Sequence, residues 1–109
     1  MNKTIKTSPR YPTGVVADYL NVKTKTLINF ENAGLTRVAK NERNRRLYSQ
    51  EDVLRVIMIL HLLNEEGLNY KGCELILKLI WYKKIDFEVL SKIIPRTQIG
   101  KMVQKAIDI

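Results

Sequence analysis

Cysteine, histidine and tryptophan each occur once in this 109-residue sequence, and proline three times. The lone thiol, Cys73, cannot close a disulfide within the chain or build a thiolate zinc cluster. The lone imidazole, His61, removes His-pair chemistry and most metal sites. The five glycines form no phosphate-cradling loop, and the paired carboxylates sit at helix caps or, as Glu65–Glu66, at a helix end where they read as solvated. An enzyme is therefore not expected, nor is a cofactor or metal. The longest apolar run, Val56 to Leu63, is interrupted by His61 and is far too short to span a bilayer. Lys3 and Lys6 have no apolar stretch behind them, unlike a secretory signal. The expectation is a soluble, intracellular chain with no membrane partner. Its length suits one domain, or one domain with a short appendage.

Positive charge is abundant and unevenly placed. The formal net charge is +8. Residues 1–46 hold ten Lys or Arg against Asp18, Glu31 and Glu42, a balance of +7, while residues 47–109 hold nine against eight. Concentration of this kind marks a polyanion site. An acidic protein or a membrane surface would leave the same asymmetry, so the choice among them falls to the pattern of elements.

Residues 1–10 are polar and basic, with Pro9 and Pro12 around Arg10–Tyr11. They read as a solvated arm, or alternatively as an extended segment that pairs with a second chain. Thr13 suits an N-cap, and Gly14 to Leu20 follows as a short helix with Val16 and Leu20 one turn apart. Asn21 makes the turn. A second helix begins near Lys23, with Val22 and Leu27 placed as a hydrophobic staple, Leu27 and Phe30 inward, and Gly34 as a left-handed terminator. Two short helices joined by a tight turn and apolar on one side form a helix-turn-helix. Lys23, Thr24, Lys25 and Ile28 are left on the outer face, at the end that enters the major groove in such motifs.

After Gly34 the helical period stops. Arg37–Ala39 and Arg46–Tyr48 can pair as short strands around a tip at 40–45, a wing with five basic residues from Arg37 to Arg46. Such a hairpin could track a phosphate backbone. Ser49 and Asp52 form a capping box that launches the longest helix, Gln50 to Glu66, about 25 Å at 1.5 Å per residue. It is apolar over most of its circumference (Val53, Leu54, Val56, Ile57, Met58, Ile59, Leu60, Leu62, Leu63), so both sides must be covered. His61 reads as a filler among these aliphatics. Gly67 ends the helix, and Asn69 caps another from Tyr70 to about Trp81, with Cys73, Ile76, Leu77 and Ile80 inward. Asp86 can cap a further helix that Pro95 stops, and Thr97 to Ile109 is amphipathic. Trp81, Phe87, Ile93 and Ile94 add more apolar surface than the domain can hide, which points to self-association. The fold class expected is mostly α, a winged helix-turn-helix with a two-stranded β-wing and additional C-terminal helices. Its parts are an arm at 1–10, the DNA-binding domain at 11–80 and a helical segment at 81–109.

This order of elements resembles the DNA-binding domain of the MerR family of bacterial transcription regulators over residues 11–80. The landmarks are Val15-Val16-Ala17, Thr26-Leu27, Phe30-Glu31, Ala33-Gly34-Leu35, and Arg46-Leu47-Tyr48-Ser49 leading into Glu51-Asp52-Val53. Asn64 to Asn69 followed by Gly72 is similar to the heat-shock repressor branch, and Asn44 to Tyr48 to the glutamine-synthetase repressor branch. The family's Thr-Leu-Arg-Tyr-Tyr-Glu stands here as Thr26-Leu27-Ile28-Asn29-Phe30-Glu31, and Lys23 replaces the usual serine N-cap. Base readout would then fall to Thr24, Lys25 and Asn29. By the same resemblance, Arg46 and Tyr48 match wing residues that hold phosphates.

The resemblance implies a sequence-specific, dimeric regulator, most simply a repressor, bacterial, cytoplasmic and nucleoid-associated. Its partners would be double-stranded DNA, a second copy of the chain and, through residues 81–109, a regulatory protein. The expected DNA-binding residues are Thr13, Lys23, Thr24, Lys25, Asn29, Arg37, Lys40, Arg43, Arg45, Arg46 and Tyr48. An architectural or excisionase-like DNA-binding role is the alternative within the same chemistry. A protein-interaction module working through the 81–109 tail is the alternative outside it.

Overall fold

The computed structural model describes residues 5–80. The expected arm residues 1–4, the helices after Ile80 and the apolar cluster from Trp81 to Ile94 lie outside the described residues. Within them the order is β1 (Tyr11–Pro12), α1 (Thr13–Leu20), α2 (Thr24–Asn32), β2 (Ala39–Lys40), β3 (Arg46–Tyr48), α3 (Gln50–Asn64) and α4 (Tyr70–Ile80). The chain is mostly helical, with one small antiparallel sheet ordered β1-β3-β2.

Local chemistry sets most of the boundaries. Asn21 takes the left-handed conformation (φ 56°) that closes α1, and the Val22 amide bonds back to the Ala17 carbonyl at 2.9 Å. Lys23 is the extended N-cap of α2. Gly34, at φ +79°, ends that helix where a side chain would strain the backbone. Ser49 and Asp52 exchange side-chain and backbone hydrogen bonds at 3.0 and 2.9 Å, the reciprocal box expected at the start of α3. At α4 the Asn69 carboxamide accepts from the Gly72 amide at 2.8 Å.

The N-terminal segment differs from both forms of the expected arm. The Arg10 amide donates to the Tyr48 carbonyl, the Lys6 amide to Gln50 Oε1, and the Glu51 amide to the Lys6 carbonyl. Ile5 packs on the core. From Ile5 onward the segment therefore pairs with β3 and the start of α3 of its own chain, and it adds a third strand to the expected two. The β2 strand also sits later than the expected 37–39, because Ala39 pairs with Leu47 and Lys40 with Arg46. Thr13 is not a cap. Pro12, held extended in β1, occupies that position, and α1 has no side-chain cap.

One apolar core joins the helices. Val16 and Ala17 of α1, Leu27 and Phe30 of α2, Tyr48, seven residues of α3 from Val53 to Leu62, and Cys73 and Leu77 of α4 are all buried. Each such aliphatic or aromatic side chain contributes roughly 1.5–3 kcal/mol by leaving water. The long helix runs through this core, with α4 and β3 packed directly against it and the buried residues of α1 and α2 in the same cluster. Phe30 meets Tyr70 edge to face, with ring centroids 5.9 Å apart, and so ties α2 to the start of α4. Helix α3 stops at Asn64, two residues short of expectation. Glu66 lies beyond it and reaches back to His61 Nε2 at 3.2 Å, so His61 is a buried residue with a carboxylate partner and Glu66 is not simply solvated.

Candidate nucleic-acid interface

Helix α2 is positioned from below. Leu27 and Phe30 are fully buried, so the opposite stripe must face out. Thr24, Lys25 and Asn29 are exposed on that stripe, and Lys23 is exposed just before it. Lys25 and Asn29 stand one turn apart (i, i+4), whereas Ile28 is only half exposed. α2 carries no acidic residue in its first turn. The positive end of the helix dipole and two lysines therefore point the same way.

The wing is built on three residues of β3. Its tip is organised by Asn41, whose carboxamide oxygen accepts from the Arg43 and Arg45 amides at 2.9 and 3.0 Å. The Asn44 amide donates to the Asn41 carbonyl, and Asn44 takes φ 62°. A turn followed by one left-handed residue is a standard three-residue hairpin loop, and asparagine tolerates that conformation better than most residues. The result holds Lys40, Arg43 and Arg45 around an open concavity with Asn41 and Glu42. All three cations are exposed, as is Arg37, and none makes a salt bridge among the described residues.

Arg46 and Tyr48 are different. Arg46 is half-buried, and its Nε bonds Glu31 Oε2 of α2 at 2.5 Å. Tyr48 is fully buried, hydroxyl included. Burial pushes its phenol up to about 12 and the nearby Glu31 carboxylate adds to the rise, while the Thr13 side chain and Arg46 pull the other way. Thr13 lies against this hydroxyl without the alignment of a full hydrogen bond. A phosphate contact from Tyr48 is therefore corrected: its hydroxyl is walled in by the core, and Tyr48 supports the wing from beneath. Half-buried Thr13 likewise turns toward Tyr48 and is not among the exposed groups. Glu31 was absent from the expected set. Its place in the last turn of α2, where a negative charge opposes the dipole, is the signal that could have marked it.

Two short helices around an asparagine turn, a basic β-wing beside them and a capped helix beneath define a winged helix-turn-helix, a DNA-binding architecture. The sequence matches the model of the MerR HTH family regulatory proteins over residues 11–80, and the chain belongs to that family. It is a DNA-binding transcriptional regulator of this type, not an enzyme. It is 26% identical over 106 residues to the HTH-type transcriptional regulator GlnR of Bacillus anthracis, covering 95% of this chain and 81% of that protein, and equally to GlnR of Bacillus cereus. Among solved structures it resembles HiNmlR, a MerR family regulator lacking the sensor domain, bound to promoter DNA. The TM-score is 0.57 at 17% identity, over 90% of this chain and 73% of that one. No helix among the described residues is long and apolar enough to cross a membrane.

Proposed function

We propose that this protein is a dimeric, sequence-specific repressor that sets α2 in the major groove and lays its wing along the phosphate backbone. The observation that carries the reading is the sorting of exposed polar groups. Lys25 and Asn29 share one stripe of α2, and both side chains suit base edges, lysine at guanine acceptors and asparagine at adenine. Lys40, Arg43 and Arg45 sit on a loop tip without ion-pair partners among the described residues, where they suit phosphate. Lys23, Thr24 and Arg37 flank the two groups. The names of the GlnR relatives and the promoter DNA bound by HiNmlR support the same assignment.

Dimerisation is inferred from the family and would give a palindromic or near-palindromic operator. Residues 81–109 would supply the dimer contact or the docking site for a regulatory protein, and the molecule would work in the bacterial cytoplasm on the nucleoid. The test is binding of the purified chain to random-sequence duplex across a salt series, with sedimentation for its oligomeric state and selection of sites from a random pool. A dimer with steep salt dependence and a selected palindrome is expected. A flat salt response would overturn the reading and favour an interaction module. Ile28, apolar where the family carries arginine, favours one second reading, an architectural or excisionase-like protein. That protein would give a footprint that spreads with concentration instead of one bounded site.

A further inference from the structure

We propose that Glu31 is a positioning residue for DNA binding: it grips Arg46 by Nε and thereby presents the outer guanidinium nitrogens to a backbone phosphate. The inference rests on the winged-helix reading above. A carboxylate beside a polyanion site is an electrostatic liability, and this one also sits at the helix end where the dipole disfavours it, with no basic residue in the same turn of α2. Its cationic partner comes instead from β3, fifteen residues away in sequence.

The geometry of that pairing is selective. An arginine has five N–H donors, and Glu31 engages Arg46 through Nε. The four donors on the two terminal nitrogens make no hydrogen bond among the described residues. Both side chains are partly buried, at 29% and 19% exposed, which restricts the rotamers each can adopt. Arg46 stands directly opposite Lys40 across the β2–β3 ladder, so the two side chains leave the sheet on the same face. Anchored at Nε, the guanidinium continues the line of wing cations from the tip to α2, with its phosphate-binding edge free.

Charge counting and positioning predict opposite signs. Removing a carboxylate from a polyanion site should tighten binding, whereas removing an anchor should weaken it. The experiment uses the full chain, random-sequence duplex DNA and a salt series. Its variants are Glu31→Ala, Glu31→Gln, Arg46→Ala and the Glu31→Ala/Arg46→Ala double variant, each with a thermal melt. Glu31→Ala should weaken binding about five- to tenfold, the scale of one charge-assisted arginine–phosphate contact. Glu31→Gln, whose amide oxygen can still accept from Nε, should recover most of that loss. In the Arg46→Ala background Glu31→Ala should cause no loss. Tighter binding by both Glu31 variants would overturn the proposal, as would an equal loss with and without Arg46, which would mean that the fold had been damaged. Wild-type protein without salt-dependent affinity would sink the DNA-binding reading itself, and that result is read before any variant is made.

Discussion

The wing tip makes the most quantitative demand on the DNA-binding mechanism. Consider the triple variant Lys40→Ala/Arg43→Ala/Arg45→Ala. All three side chains are exposed and none forms a salt bridge among the described residues, so each is available to neutralise one phosphate. Each phosphate neutralised on duplex DNA adds about 0.9 to the magnitude of the slope of log K against log salt, so losing three should flatten it by about 2.7. Between 50 and 200 mM salt the wild type should then lose about 40-fold more affinity than the variant. The fold should not notice. The loop is tied by the Asn41 carboxamide and by backbone bonds that the substitutions leave alone, and exposed changes of this kind usually stay within about 0.5 kcal/mol. The assay is fluorescence anisotropy on random duplex at five or more salt concentrations, with Lys71→Ala on the exposed side of α4 as a charge control. Affinity that falls by a constant factor at every salt concentration, with the slope intact, would refute the reasoning. So would an equal change of slope per charge at Lys71.

Three further perturbations probe other parts of the molecule. Lys25→Ala should change which sequences are selected from a random pool while leaving the salt slope within about one unit, and a uniform loss on every sequence would contradict the placement of α2 at base edges. Tyr48→Phe should leave DNA affinity at neutral pH unchanged, because the hydroxyl is buried. In the wild type this phenol ionises near 10 when unfolded and about 12 when folded, so the unfolded state binds fewer protons between those values. Stability should therefore fall by about 2 kcal/mol as pH rises from 10 to 12, a loss seen in denaturant titrations and missing from Tyr48→Phe. Ser49→Ala removes one half of the capping box and should cost about 1 kcal/mol in the same titrations.

How far the sequence could be read depended on whether a signal was local. Asn21, Gly34, the Ser49–Asp52 box, Gly67 and Asn69 each act within a few residues of themselves, and each stands where its chemistry placed it. The family assignment followed from the same run of landmarks. What escaped was non-local. Tyr11–Pro12 is too short to show a strand period and its partner, Tyr48–Leu47, lies far along the chain, so a segment with two flanking prolines looked like a loose arm. Tyr48 sits in a three-residue strand, too short for alternation to say which face is buried, and its aromatic hydroxyl suited a phosphate contact as well as a core. The cap of α1 stands one residue before Thr13 because Pro12, fixed in the sheet, precedes the first helical turn. The Glu31–Arg46 and His61–Glu66 pairs depend on how chain segments fold back, which no spacing rule encodes.

The three residues of β3 connect the rest of the molecule. β3 pairs with β1 on one edge and β2 on the other, and so links the N-terminal segment to the wing. Arg46 at its start is bonded to α2, Leu47 joins both ladders, and Tyr48 at its end enters the core one residue before the Ser49 cap of α3. A strand of three residues has little stability of its own. Its geometry is therefore set by its neighbours, and a shift of α3 along its axis would be passed to Tyr48, then to Arg46 and the wing. The α2 helix would move less, since Leu27 and Phe30 fix it in the core in addition to the Glu31–Arg46 bond to the sheet. The wing thus depends on β3 more heavily than the groove helix does. A change in α3 should alter the phosphate-dependent part of binding, read in the salt slope, before it alters sequence preference, read in the selected sites.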